Sequence, residues 1–112
     1  MNLESWNSET HQIDTQMGRL YITVNFNKVG TPIALLLNIS KSGAESNYFA
    51  DAIARLVTLG LRNGISLKDT IKELKDVGGH YDTPTVPDAV AIVLNEYVKH
   101  GKGRKGDGKV TE

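Results

Sequence analysis

A stretch of alternating apolar and polar residues, 19–27, constrains the fold more than any other feature of this chain. The side chains on its apolar side are Leu20, Ile22, Val24 and Phe26. Period-two alternation rich in β-branched and aromatic residues predicts a half-buried strand. A short turn at residues 28–30, ending in a glycine, and a second apolar run at residues 31–39 then predict an antiparallel β-hairpin.

Three helical segments follow this hairpin. Residues 44–62 form a long apolar segment in which Asp51 precedes Arg55 by four residues, the order that favours an ion pair on a helix. We expect this helix to be covered on most sides by the hairpin and by the other helices. Ser66 is placed to cap a second helix, and Pro87 fits the first turn of a third. The order predicts an α+β fold, a hairpin followed by three helices.

The boundaries of the domain follow from composition. We predict a flexible N-terminal arm at residues 1–17, a folded domain at residues 18–100 and a mobile basic tail at residues 101–112, which is rich in glycine. A two-stranded sheet is marginal on its own, and both of its edges would be unprotected. Either the arm supplies a further strand, or neighbouring subunits pair; we favour a sheet completed by oligomerisation.

Composition excludes several classes of protein. The 112 residues carry 13 basic and 13 acidic side chains, a balance that makes nucleic-acid binding an unfavoured function. The absence of cysteine excludes disulfides and thiolate chemistry. No apolar run approaches the roughly 20 residues of a membrane span, and no basic-then-apolar secretion signal begins the chain. We therefore expect a cytoplasmic protein with no membrane partner.

The sequence contains no recognisable catalytic set. His11, His80 and His100 have no partner at the spacing of a metal site or a catalytic triad, and surface histidines explain them. We read Asp88 as a residue that favours a helix start. Nucleophile-elbow, phosphate-loop and dinucleotide motifs are missing. We expect no enzyme activity, no metal and no cofactor.

Anion binding is better supported. Lys41, Ser42 and Gly43 lie where a strand passes through a small-residue turn into the long helix, and free N–H groups at a helix start suit a phosphate. The alternative is that Ser42 only caps the helix and Gly43 only permits the turn.

Five further residues are candidates for ligand contacts. They are Arg55, Arg62, Tyr81, Asn95 and Arg104. The arginines would meet phosphates, although Arg55 could simply pair with Asp51. Tyr81 could stack on a base or pack on the domain, and Asn95 could read a base or ribose edge or face water. Arg104 belongs to the basic tail, and most such tails only aid solubility.

Residues 49–74 resemble the TSCPD domain found near the C-terminus of adenosylcobalamin-dependent ribonucleotide reductases. The family shows a turn similar to residues 40–43 and a helix of the form A-x-x-R-L-x-S-L-x-L-R-x-G-V, similar to residues 52–65. Residues 18–25 are also similar to its first strand, so the resemblance covers about residues 18–98. The helix pattern is fairly specific; the turn alone is not.

The chain departs from that family at its defining motif. Thr-Ser-Cys-Pro-Asp is replaced by residues 84–88, in which Pro87 and Asp88 remain and Val86 stands where the cysteine belongs. Thiol chemistry or zinc binding through that cysteine is therefore lost. The reductase barrel and cobalamin site are absent from a chain this short, so the resemblance implies no reductase activity.

A stand-alone domain of this kind looks like a phage-encoded protein. Some phage proteins of similar size act as sponges that bind cyclic nucleotide signals, such as cyclic ADP-ribose isomers, and disarm Thoeris-type defence. We therefore expect a non-catalytic homo-oligomer that sequesters a small cyclic nucleotide, in the host cytoplasm if the chain is phage-encoded. The alternative is an accessory or regulatory partner of a ribonucleotide reductase.

Overall fold

The computed structural model describes residues 7–40 and 43–100. Three strands come first: β1 (Ser8–Thr15), β2 (Gly18–Phe26) and β3 (Pro32–Ile39). Three helices follow: α1 (Ala44–Arg62), α2 (Leu67–Leu74) and α3 (Val86–His100). The strands form one antiparallel sheet in the order β1-β2-β3, which confirms the α+β fold with its hairpin and three helices.

The central strand β2 carries the core. Its alternate residues Leu20, Ile22, Val24 and Phe26 are fully buried, as the period-two pattern predicts. They belong to one apolar cluster with β3, α1 and α3, and Val90 and Leu94 of α3 are also fully buried in it. Burial of such apolar side chains is the dominant favourable contribution to folding.

The first strand corrects the prediction of a flexible arm. Residues 8–15 pair with β2 along their whole length, from Ser8 opposite Asn25 to Thr15 opposite Gly18. Of the inward-facing side chains in β1, only Ile13 is a large apolar one, so hydrophobic periodicity does not detect this strand. The third strand therefore comes from the chain itself, the alternative that the sequence left open, and oligomerisation stays a prediction. Residues 1–6 lie outside the described part of the chain.

Polar contacts hold β1 against α3. The Tyr97 hydroxyl donates a hydrogen bond to Glu9 Oε1 at 2.6 Å, and His11 Nε2 lies within hydrogen-bonding distance of the same hydroxyl. Burial raises the pKa of Tyr97 well above its usual value, and the hydrogen bond to Glu9 raises it further. A strand of mostly polar residues is thus held by its pairing with β2 and by part-buried hydrogen bonds, with Ile13 as its apolar contact with the core.

Helix α1 covers the free edge of β3. The Asn47 side chain accepts a hydrogen bond from the Ile39 N–H at 2.9 Å and donates one to the Ile39 carbonyl at 3.2 Å. Thr58 Oγ1 accepts from the Leu35 N–H at 2.9 Å. The two side chains lie on one face of α1 and take the place of a neighbouring strand.

Within residues 7–40 and 43–100, only that face of α1 is covered, which corrects the expectation that the hairpin and the other helices cover it on most sides. Ala50 and Ala54 are buried, whereas Phe49 and Leu56 on the opposite face are 65% and 68% exposed. The prediction was wrong because it assumed that every apolar residue of the helix is buried, whether or not another element of the chain packs on it.

The two shorter helices begin as their sequences predict. Ser66 caps α2, its hydroxyl accepting from the Asp69 N–H at 3.0 Å. Thr85 does the same for α3, accepting from the Asp88 N–H at 3.3 Å. Across residues 7–40 and 43–100, none of the helices has the length and apolar character that a membrane crossing requires.

Candidate functional site

The predicted helix-start anion site falls partly outside the described residues, because Lys41 and Ser42 are not among them, nor is Arg104 in the tail. Gly43 is described and is the N-cap residue of α1, in an extended conformation and without a side-chain cap. The N-cap position of α1 is therefore occupied by Gly43 and not by Ser42. Phosphate binding at this helix start stays a prediction.

The two arginines of α1 are exposed. Arg55 Nε donates to Asp51 Oδ2 at 2.9 Å, so the predicted ion pair within the helix is present. Such an exposed pair contributes only about 0.3–0.5 kcal/mol. Arg62 lies in the last turn of the helix, where a positive charge favours the helix dipole. Neither arginine lines the cleft described next.

A cleft of about 190 Å³ lies between α2 and α3. Its lining residues are Ile71, Lys75, Asp76, His80, Asp88, Ala91, Ile92 and Asn95. One wall is apolar and one end carries carboxylates, with a single lysine and an amide beside them. Of the predicted ligand contacts that the structure describes, only Asn95 lines this cleft.

The polar end of the cleft is held by the loop after α2. Asp76 has a φ of 60°, and its N–H donates to Asp88 Oδ1 at 2.9 Å. His80 Nδ1 lies 3.2 Å from Asp76 Oδ1. Thr85 Oγ1 donates to the Val77 carbonyl at 2.7 Å, which ties the loop to the start of α3. These bonds position the two carboxylates and the imidazole side by side.

Asp88 does more than favour a helix start. Its side chain is buried, at 4% exposure, and it accepts a bond from a backbone group twelve residues away. His80 likewise has a partner that the sequence reading missed, since Asp76 precedes it by four residues in a segment that is not helical. His80 is a surface histidine as predicted, since its side chain is 84% exposed, and only the expectation that it has no partner was wrong.

Asp76, His80 and Asp88 are close enough to act as ligands of one ion, because their donor atoms lie within 4.8 Å of one another. Two carboxylates and an imidazole suit a first-row divalent metal. Carboxylates and histidines also cluster without any ion, and the hydrogen bonds above account for this cluster. We assign no metal to it.

Tyr81 follows His80 at the edge of this loop. Its ring packs closely on Gly79, where a Cβ atom would lie 2.7 Å from the ring. Gly79 has a φ of 114°, which other residues rarely adopt, so the chain needs glycine here for two reasons. Tyr81 remains 52% exposed and is one residue from the cleft. Packing on the domain, one of the two alternatives for Tyr81, is therefore present and leaves half of its surface free.

Comparison with known protein families gives a match. A sequence model of the TSCPD domain matches residues 3–98, most of the chain. The chain belongs to the TSCPD domain family. Neither the curated proteins nor the solved structures include a significant match to it.

Residues 84–88, which resemble the motif that names the TSCPD domain, end at this cleft. The Pro-Asp end of the motif corresponds to Pro87 and Asp88 in the first turn of α3, and Asp88 lines the cleft. Val86, which replaces the cysteine, is buried at 7% exposure. The family motif and the cleft thus coincide, and this coincidence makes the α2–α3 cleft the candidate functional site of this TSCPD domain.

Most residues of this site were not predicted from the sequence. Lys75, Asp76 and His80 follow α2 in a segment whose course depends on three residues of positive φ, Asp76, Gly78 and Gly79. Periodicity predicts α2 and α3 but not how the connecting loop folds back between them. One residue could have indicated the site from the sequence. Asp88 belongs to the segment that resembles the family motif, but from the sequence it was explained only as a residue that favours a helix start.

Proposed function

We propose that this TSCPD domain binds a nucleotide and holds it unchanged, with the base or the ribose in the α2–α3 cleft. The observation that carries the proposal is the pairing of apolar and polar walls in that cleft. Ile71, Ala91 and Ile92 offer apolar surface to a ring, and Asn95 offers an amide to its polar edge. A planar base has the same division between face and edge.

The charges of the cleft decide which part of a nucleotide it favours. Lys75 is the single lysine or arginine among the described residues that line the cleft, against the two carboxylates Asp76 and Asp88. Carboxylates accept hydrogen bonds from the N–H groups of a base or the hydroxyls of a ribose, and they repel phosphate. The base or ribose therefore enters the cleft, and the phosphates stay at its mouth near Lys75.

The size of the cleft limits what it can enclose. Pockets for drug-sized ligands have roughly 300–1,000 Å³, whereas this one has about 190 Å³. One ring fits, and the rest of a cyclic nucleotide needs a second surface. We assign this second surface to Tyr81, which follows His80 in the chain and is half exposed. Arg55 and Arg62 are left out of this site because they do not line it.

The experiment is retention followed by denaturation. Purified protein is incubated with cyclic ADP-ribose isomers, cyclic mononucleotides and dinucleotides, and nucleoside phosphates, then desalted and denatured, and the released compound is identified by chromatography. We expect at least one nucleotide to be recovered intact. Asn95→Leu should lose it, and Asn38→Leu, an exposed position on β3, should keep it.

Two results would overturn parts of this proposal. Recovery of a chemically altered nucleotide would show turnover, and the His80–Asp76 pair would then be the first candidate for proton transfer. Retention of none of these compounds would contradict nucleotide binding. Capture of a ribonucleotide reductase subunit by a protein that retains no nucleotide would favour the accessory-partner alternative instead.

A further inference from the structure

The outer face of α1 carries a line of large apolar side chains in contact with solvent. Phe49, Leu56 and Leu59 are 65%, 68% and 60% exposed, and Ala52 lies between the first two. Residues 49, 52, 56 and 59 are spaced three, four and three apart, the spacing by which helices pair in coiled coils. We call these four residues the apolar stripe. Single exposed apolar residues are ordinary, but a continuous line of them marks an interaction surface.

The stripe extends at both ends. Tyr48, 70% exposed, flanks its beginning. Ile65, 51% exposed, packs beside Gly60, where an added Cβ would lie 3.1 Å from the isoleucine side chain. The opposite face of α1 holds the sheet through Asn47 and Thr58, so the stripe points away from the domain.

We propose that the stripe is the interface of a homodimer in which two α1 helices pack antiparallel. This proposal is independent of the proposed function, since none of the stripe residues lines the cleft. From the sequence we expected the subunits to associate through the strand edges. The proposal instead places the contact between subunits on α1. The choice of a second copy and of its direction rests on charge and shape along the helix.

The charges at the two ends of α1 are complementary in an antiparallel pair. Glu45 lies in the first turn and Arg62 in the last. Glu45 precedes Phe49 by four residues, and Arg62 follows Leu59 by three. A register that sets Phe49 opposite the partner's Leu59 therefore also brings Glu45 close to the partner's Arg62. By symmetry the pair occurs twice, whereas a parallel dimer would place like charges together.

Side-chain size and helix polarity agree with the same register. It places the small Ala52 opposite the partner's Leu56, so a large side chain meets a small one on each side of the axis. Antiparallel helices also bring the positive end of one dipole near the negative end of the other. Each feature favours the same arrangement of two copies.

The area is sufficient for a modest dimer. Aromatic and leucine side chains exposed to this degree leave on the order of 130 Å² each, so Tyr48, Phe49, Leu56 and Leu59 together leave on the order of 500 Å² per chain. Two copies bury on the order of 1,000 Å², which is the lower limit for a specific interface. We therefore expect association at micromolar concentration rather than an obligate dimer.

Analytical ultracentrifugation over a wide concentration range tests the interface. Leu56→Glu places a charge in the centre of the stripe and should weaken association about tenfold or more. Leu36→Glu is the matched control, because Leu36 is similarly exposed, at 57%, but lies on β3. It should associate like the wild type. A wild-type chain that stays monomeric at high concentration, or equal behaviour of the two variants, would overturn the proposal.

Charge reversal tests the direction of packing. Glu45→Arg or Arg62→Glu alone should weaken the dimer, and the double variant should recover it, with circular dichroism confirming that each variant folds. A parallel dimer gives no such recovery, because the double variant would still place like charges together. Absence of recovery would therefore overturn the antiparallel arrangement, even where Leu56→Glu has its expected effect.

Discussion

Replacing Asn47 by alanine tests how α1 is held on the sheet. The change removes two neutral hydrogen bonds to Ile39, at 2.9 and 3.2 Å, each contributing about 0.5–1.5 kcal/mol. Alanine recovers about 0.6 kcal/mol as the better helix former. The net loss is about 0.5–2.5 kcal/mol, and a mid-range loss lowers the Tm of a domain this size by about 6–12 °C.

Thermal and urea unfolding followed by circular dichroism measure this loss, and amide hydrogen exchange locates it. The Ile39 amide should exchange faster in the Asn47→Ala variant, because its acceptor is gone. Asn38→Ala removes the same side chain from an exposed position on β3 and should change stability by less than about 0.5 kcal/mol. Wild-type stability in Asn47→Ala, or an equal loss in both variants, would refute the role given to this side chain.

Three further outcomes follow from the structure. Tyr97→Phe removes the buried hydroxyl that bonds Glu9 and should cost about 1–3 kcal/mol by urea unfolding. Because the folded-state pKa of Tyr97 is raised, Tyr97 contributes fully to the free energy of unfolding below its unfolded-state pKa of about 10, and this contribution declines at higher pH. The Tyr97→Phe variant should lack this decline. The same dependence of stability on pH in variant and wild type would contradict the role given to Tyr97. Gly18→Ala should destabilise by more than about 1 kcal/mol, since φ is 125° and the new Cβ would lie 2.9 Å from the Ser40 carbonyl; wild-type stability would show that the turn can relax. Asn95→Leu should weaken nucleotide binding about tenfold or more in equilibrium dialysis with little effect on folding, and undiminished binding would remove Asn95 from the site.

The sequence predicts much of the fold because those elements have strong local signals. Residues 44–62 were predicted as a helix, and α1 has these bounds. The β2–β3 hairpin follows from alternation, and the cap at Ser66 from its hydroxyl and position. Strand β1 has no such signal, because it is held by its pairing with β2 and by the Tyr97 hydroxyl, which donates to Glu9 and lies within hydrogen-bonding distance of His11.

The candidate site was less predictable than the fold for a related reason. Asn95 was chosen from its place on a helix, and the structure lines the cleft with it. Asp76 and His80 meet Asp88 only because the loop after α2 turns through residues of positive φ, which neither periodicity nor local charge reveals. Arg55 and Arg62 were predicted to contact a ligand because a cation on a buried apolar helix needs a partner. Both side chains are exposed to solvent, so neither requires one.

Chemical-shift mapping tests the central claim most directly, namely that the α2–α3 cleft holds a nucleotide. Isotope-labelled protein is titrated with the nucleotide that the retention experiment recovers, or with cyclic ADP-ribose isomers in the first instance. The amides around Asp76, His80, Ala91 and Asn95 should shift together and saturate. Saturable shifts confined to α1, or no saturable shift with any nucleotide, would contradict the account.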